Sequence, residues 1–186
     1  MKKMLAVLCC VILALGCSLA AAEAAQKEDY TIVSVNGVFN IRGLTPDGYR
    51  LTDINKTDTT IGAWFNTEDE TKPSFVLVIS FLEEYANVER LNDLTEEEMK
   101  ELVDDDPTLN EEFGIMETDY GTKVMILRSN QPEDDFACFV TIYKGYEVGL
   151  NLFPGTAGSG KLTDDQISLA MQFLSDLEFV PAEAGE

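Results

Sequence analysis

The sequence predicts an α+β domain, a mainly antiparallel β-sheet of six to nine strands packed by a mid-chain helix and a C-terminal helix. Three observations carry that expectation. Phe136 to Phe153 (FACFVTIYKGYEVGLNLF) reads as two strands joined at Lys144-Gly145, and a two-residue loop is the shortest common hairpin connection. Asn36-Gly37, set between TIVSV and VFNIR, supplies the positive φ values of a type I′ turn and marks a second hairpin. Segments opening at Thr95 and Thr163 carry helix start signals, each followed by apolar residues at helical spacing.

In chain order, Lys2 and Lys3 precede an apolar run from Met4 to Leu19, then the small-residue segment Ala20-Ala21-Ala22-Glu23-Ala24-Ala25. This is the layout of a secretory signal, with several A-x-A cleavage frames and an expected cut after Ala24. Residues 1–24 are thus expected to be a signal peptide, 25–180 a single α+β domain and 181–186 a disordered tail. The protein would be secreted, either extracellular or periplasmic. Ala14-Leu15-Gly16-Cys17 offers a second route, because Gly before Cys resembles the end of a lipoprotein signal. On that alternative Cys17 carries a lipid and anchors the chain at the cell surface. Three of the four cysteines lie in the leader, so cleavage leaves Cys138 alone and excludes an intramolecular disulfide. Its mid-strand position reads as a buried, inert thiol.

After the Asn36-Gly37 hairpin, Pro46-Asp47-Gly48 is a turn, with proline presetting φ and glycine free to take the left-handed region. Tyr49 to Ile54 and Ile61 to Phe65 are short strands. Phe75 to Leu82 (FVLVISFL) is apolar on both faces and reads as a central strand. Glu83 to Leu94 is ambiguous, with room for a helical turn. Thr95 then caps a helix, Glu98 completes the capping box and Leu94 staples onto Met99, with Met99, Leu102 and Val103 as the stripe. Asp104-Asp105-Asp106-Pro107 ends it, and a short helix from Pro107 to Glu112 is a further expectation.

Phe113 to Thr118 and Thr122 to Arg128 form another hairpin, turning at Asp119-Tyr120-Gly121. In the hairpin after it, a two-residue loop sets Phe139 opposite Leu150, Thr141 opposite Val148 and Tyr143 opposite Tyr146. Glu147, Gly149 and Asn151 then fall on a wetter face. Residues 154–160 are flexible by composition. Thr163 with Gln166 repeats the capping box, and Ile167, Ala170, Met171, Leu174 and Leu177 form the second stripe. Pro181 is expected to end order.

Charge bears on partners. Removing Lys2, Lys3 and Glu23 takes the 13 basic and 34 acidic residues to 11 and 33, a net of −22. Such a chain repels nucleic acid and anionic lipid, and its surplus suits a basic protein partner or divalent cations. The absence of histidine excludes Ser-His and Cys-His hydrolases and His-ligated zinc. Gly155-x-x-x-x-Gly160-Lys161 imitates a phosphate-binding loop, but Leu162 stands where Ser or Thr must hold Mg²⁺, so no nucleotide is expected. The acidic clusters 68–70, 104–106, 133–135 and 164–165 do not fit the twelve-residue calcium loop, and whether any binds calcium stays open. Tyr143, Tyr146 and Trp64, with Phe65, are either core residues or the lining of a binding surface. No cofactor is implied.

The element order resembles the PsbP-like family, which includes DcrB-like bacterial envelope proteins. Phe39-Asn40-Ile41 with Pro46-Asp47-Gly48-Tyr49 matches its opening pattern, and Phe173-Leu174-Ser175-Asp176-Leu177-Glu178-Phe179 matches its C-terminal helix pattern. The resemblance spans about residues 30–180 and implies an antiparallel sheet flanked by helices in a largely non-catalytic, exported protein that binds or assembles other components. It brings no functional residues with it. The function expected is therefore that of a secreted or surface-anchored, non-enzymatic binding or accessory protein. The alternative is an exported hydrolase working with carboxylates.

Overall fold

A computed structural model describes residues 31–103, 112–130, 135–155 and 161–182. The leader, Cys17, the short helix expected after Pro107 and most of the glycine-rich connector lie outside them.

The chain opens with β1 (Thr31–Val35) and β2 (Phe39–Gly43), joined at Asn36-Gly37, whose φ values of 49° and 72° are those of the expected turn. Then come β3 (Tyr49–Lys56), β4 (Thr60–Thr67) and β5 (Ser74–Phe81). Two short 3₁₀ helices, Glu83–Tyr85 and Leu91–Asp93, lead into α1 (Glu96–Val103). β6 (Glu112–Glu117), β7 (Lys123–Asn130), β8 (Asp135–Tyr143) and β9 (Tyr146–Phe153) follow, then α2 (Asp164–Ser175) and β10 (Glu178–Pro181).

The α+β class is shown, and every ladder among the described residues is antiparallel. The single sheet is corrected to two. Seven strands form one sheet in the order β3-β4-β5-β9-β8-β7-β6, and β1-β2-β10 form a second. The strand β10 is additional to the expected elements, because the pattern matched to the C-terminal helix runs through Phe179 and masks it. Asp176 caps α2 instead, and the next residues pair with β2, Phe179 against Ile41 and Pro181 against Phe39. Pro181 therefore does not end order, and the Ala182 amide donates to the Val38 carbonyl at 3.1 Å.

Both capping boxes form. The Glu98 amide donates to Thr95 Oγ1 at 3.2 Å while the Thr95 amide returns a bond to Glu98 Oε2 at 2.8 Å. Thr163 and Gln166 make the same exchange at 3.3 and 2.9 Å. The stripe of α2 needs one addition, Phe173, which is buried and whose ring meets Phe65 and Phe75 at 5.1 and 5.9 Å.

The main core lies between the two sheets and α2. Phe65, Phe75, Leu77, Phe139, Leu150 and Leu152 on the inner face of the large sheet share a cluster with Val33, Val35, Phe39 and Ile41 of the small one. A second cluster lies on the outer face, where Leu91 and Met99 meet Met125, Leu127, Cys138, Val140 and Ile142.

The β8–β9 register is the expected one, Phe139 to Leu150, Thr141 to Val148 and Tyr143 to Tyr146, with φ of 51° at Lys144 and 78° at Gly145. The wetter face assigned to β9 is corrected. β9 lies in the centre of the sheet between β5 and β8, so Glu147 and Asn151 are 5% and 1% exposed.

Candidate functional site

The most distinctive surface is the layer laid over the outer face between the end of β5 and the end of α1. Its inward side chains are apolar: Leu91 and Met99 are fully buried, and Tyr85, Val88, Leu94 and Leu102 pack beside them. Its outward side chains are carboxylates. Glu83, Glu84, Glu89, Asp93, Glu96, Glu97, Glu98 and Glu101 are all exposed. Against these eight, residues 83–101 hold two cations, Arg90 and Lys100. Both lie over aromatic rings, Arg90 at 5.6 Å from the Tyr143 centroid and Lys100 at 5.9 Å from that of Phe113.

The layer is pinned at both ends of its first half. The Leu82 amide donates to the Gly145 carbonyl at 3.3 Å, while the Gly145 and Lys144 amides donate to Val88 and Glu89 at 3.0 and 2.8 Å. Arg90 and Tyr143 add a β-bridge. Residue 145 must be glycine here, because a Cβ would stand 3.1 Å from Ala86 Cα on a backbone already at positive φ. Further along, Asn92 spans the β6–β7 turn, donating to the Gly121 carbonyl at 2.8 Å and accepting from the Lys123 amide at 3.0 Å.

Glu147 lies beneath this cover. In register it faces Ser80 on β5 and Ile142 on β8. Burial, with the Glu84 carboxylate adding repulsion, pushes its carboxyl up to about 7. Burial also raises the Tyr85 phenol, with further contributions from Glu147 and Glu84. At the surface the sign reverses: hydrogen bonds from Thr95 hold Glu98 below the usual carboxylate range. The chemistry on offer is proton binding at a buried acid under an anionic exterior.

The residues singled out from sequence do not converge. Tyr143 and Tyr146 are 4% and 8% exposed and meet the Phe39 ring edge-on at 5.0 and 5.5 Å, so they belong to the inner core and do not line a surface. Trp64 is half-buried on the outer face beside Val76 and Val78. Of the acidic clusters, Glu68 pairs with Arg50 and Asp69 accepts from the Thr71 amide at 3.0 Å. Asp164 and Asp165 sit exposed in the first turn of α2. Asp135 is buried, and its Oδ2 accepts from the Leu162 amide at 2.7 Å while Arg128 donates to the Leu162 carbonyl at 3.1 Å. Leu162, 4% exposed, is thus held as an anchor at the end of the connector. Among the described residues no three Cys, Asp or Glu side chains converge as a metal-binding group.

The clean alternation of β9 gives Glu147 the sequence pattern of a solvent-facing residue. A signal existed in its neighbours: β5 and β8 are apolar on both faces, and a strand between two such strands has no wet side. No protein-family model and no curated protein matches the chain.

Proposed function

We propose that this is an exported, non-enzymatic binding or accessory protein that meets a basic protein partner through the acidic cover formed by residues 83–101. The observation that carries the reading is the cover's division of labour. Its apolar side chains are spent on the sheet, its two cations lie on rings, and its eight carboxylates face solvent. Such a surface attracts a complementary one over about 8 Å at physiological ionic strength. The leader-like first 24 residues and the resemblance to PsbP-like and DcrB-like envelope proteins support an exported accessory role, with Cys17 as the site of an anchor if the lipoprotein route is taken.

The hydrolase alternative has one observation in its favour, the buried acid Glu147, whose carboxyl burial pushes upward. That carboxyl faces the underside of Glu84 and Tyr85, whereas a glycosidase sets two carboxyls across an open cleft.

The test is capture of partners from the native envelope fraction at low and at high salt. Wild-type chain is compared with a variant carrying Glu96→Gln, Glu97→Gln and Glu101→Gln, which spares the capping Glu98. A basic partner retained at low salt, released at high salt and lost by the variant is the expected outcome. A partner of neutral or acidic surface, held equally at both salts and by both proteins, would overturn the reading.

A further inference from the structure

We propose that residues 82–90 form a pH-sensitive latch, closed on the Lys144-Gly145 turn when Glu147 is neutral and released at its Glu83–Tyr85 portion when Glu147 ionises beneath Glu84. This goes beyond the partner reading and stands independently of it.

The geometry is that of a strap over a buried acid. Residues 82, 88 and 89 are tied to the β8–β9 turn by backbone hydrogen bonds, and residues 83–85 lie between those ties as one 3₁₀ turn. That turn has no side-chain cap at its start and buries none of its own residues fully, so besides the ties only the half-buried Tyr85, packed at the margin of the outer cluster, holds it down. Under it, Glu147 is 5% exposed.

The groups facing Glu147 offer its anion no compensation. β5 presents Ser80 and β8 presents Ile142. The 3₁₀ turn presents Glu84 and the Tyr85 phenol, with Glu83 beside them. Arg90 and Lys144 stand over the ring of Tyr143, which belongs to the opposite sheet face. Glu89 is exposed at the far end of the strap. Lys123, on β7 two strands away, pairs in register with Glu117. No described Lys or Arg forms an ion pair with Glu147.

A buried carboxyl without a cation is stable when neutral, and its ionisation is relieved by letting water in. The cheapest way in is to lift the element that covers it and carries the repelling Glu84. Opening exposes Glu147 and Tyr85 together and adds a negative charge to the acidic cover.

The experiment is amide hydrogen exchange on the full chain between pH about 5 and about 8, corrected for intrinsic exchange, with Leu82 at the start of the turn and Tyr85 and Ala86, which donate to the Leu82 and Glu83 carbonyls, as reporters. With ordinary and folded values of 4.5 and about 7, the opening constant at these amides should rise about tenfold per pH unit up to about 6.5 and level off above about 7. The central amides of β8 should not follow it. Glu147→Gln should flatten the dependence, and Glu84→Gln, which keeps the buried acid, should move the levelling point to lower pH. A wild-type opening constant indifferent to pH would overturn the latch. So would an equal pH dependence in Glu147→Gln, an unmoved levelling point in Glu84→Gln, or a response shared equally by the β8 amides, which would report global unfolding.

Discussion

Phe39 and Tyr143 meet edge-to-face with ring centroids 5.0 Å apart, and their contact joins the three-stranded sheet to the seven-stranded one. Phe39 lies on β2, the middle strand of the small sheet, and touches Tyr146 and Phe179 as well. Four aromatic rings from three separated parts of the chain thus converge where the two layers meet. Each such pair adds about 0.5–1.5 kcal/mol beyond the area it buries.

Phe39→Ala should therefore be among the most damaging substitutions, costing about 3–5 kcal/mol because the fixed layers cannot close on the gap. Urea unfolding followed by far-UV circular dichroism measures it. A loss below about 1 kcal/mol would mean that the small sheet docks without this residue.

Glu147 sets the pH dependence. Its folded value, about 7, lies above its ordinary 4.5, so the fold favours the neutral form. The associated stability is fully present below pH 4.5, is lost as pH rises through about 7, and is absent above. Glu147→Gln lacks this dependence, so its stability relative to wild type should improve across that window by on the order of 3 kcal/mol. Unfolding of both proteins at pH about 4.5 and about 8 tests the trend, and a pH-independent difference would contradict it.

Thr163→Ala removes the hydroxyl that accepts from the Gln166 amide at the start of α2 and should cost about 1 kcal/mol. Thermal melting reads this as a small drop in Tm. Thr163→Ser, which keeps the acceptor, should recover most of it.

Gly155 and Lys161 flank the connector and should behave oppositely. A Cβ at Gly155 would come within 2.6 Å of the Glu70 and Lys72 carbonyl oxygens, so Gly155→Ala should cost about 1–3 kcal/mol. Lys161 is exposed, and Lys161→Ala should stay within about 0.5 kcal/mol. Saturable ATP binding by wild type, lost on changing Lys161, would restore the phosphate-loop reading.

Local chemistry settled much of this protein from sequence alone. Asn36-Gly37 and Lys144-Gly145 specify their turns because few residue pairs tolerate positive φ, and the turn then fixes the register of both hairpins. Thr95 with Glu98 and Thr163 with Gln166 mark their helices because both members of a capping box lie three residues apart. What tertiary structure decided is everything that depends on neighbours distant in the chain. β10 has four residues and no pattern of its own, and it is a strand because β2 offers it an open edge. Tyr143 and Tyr146 are core because Phe39 arrives from a hundred residues away. Glu147 has the alternation of a solvent-facing residue and becomes a buried acid because β5 flanks its strand and residues 82–90 cross above it. Periodicity states which residues share a face of a strand, and only the assembled layers decide whether that face meets water.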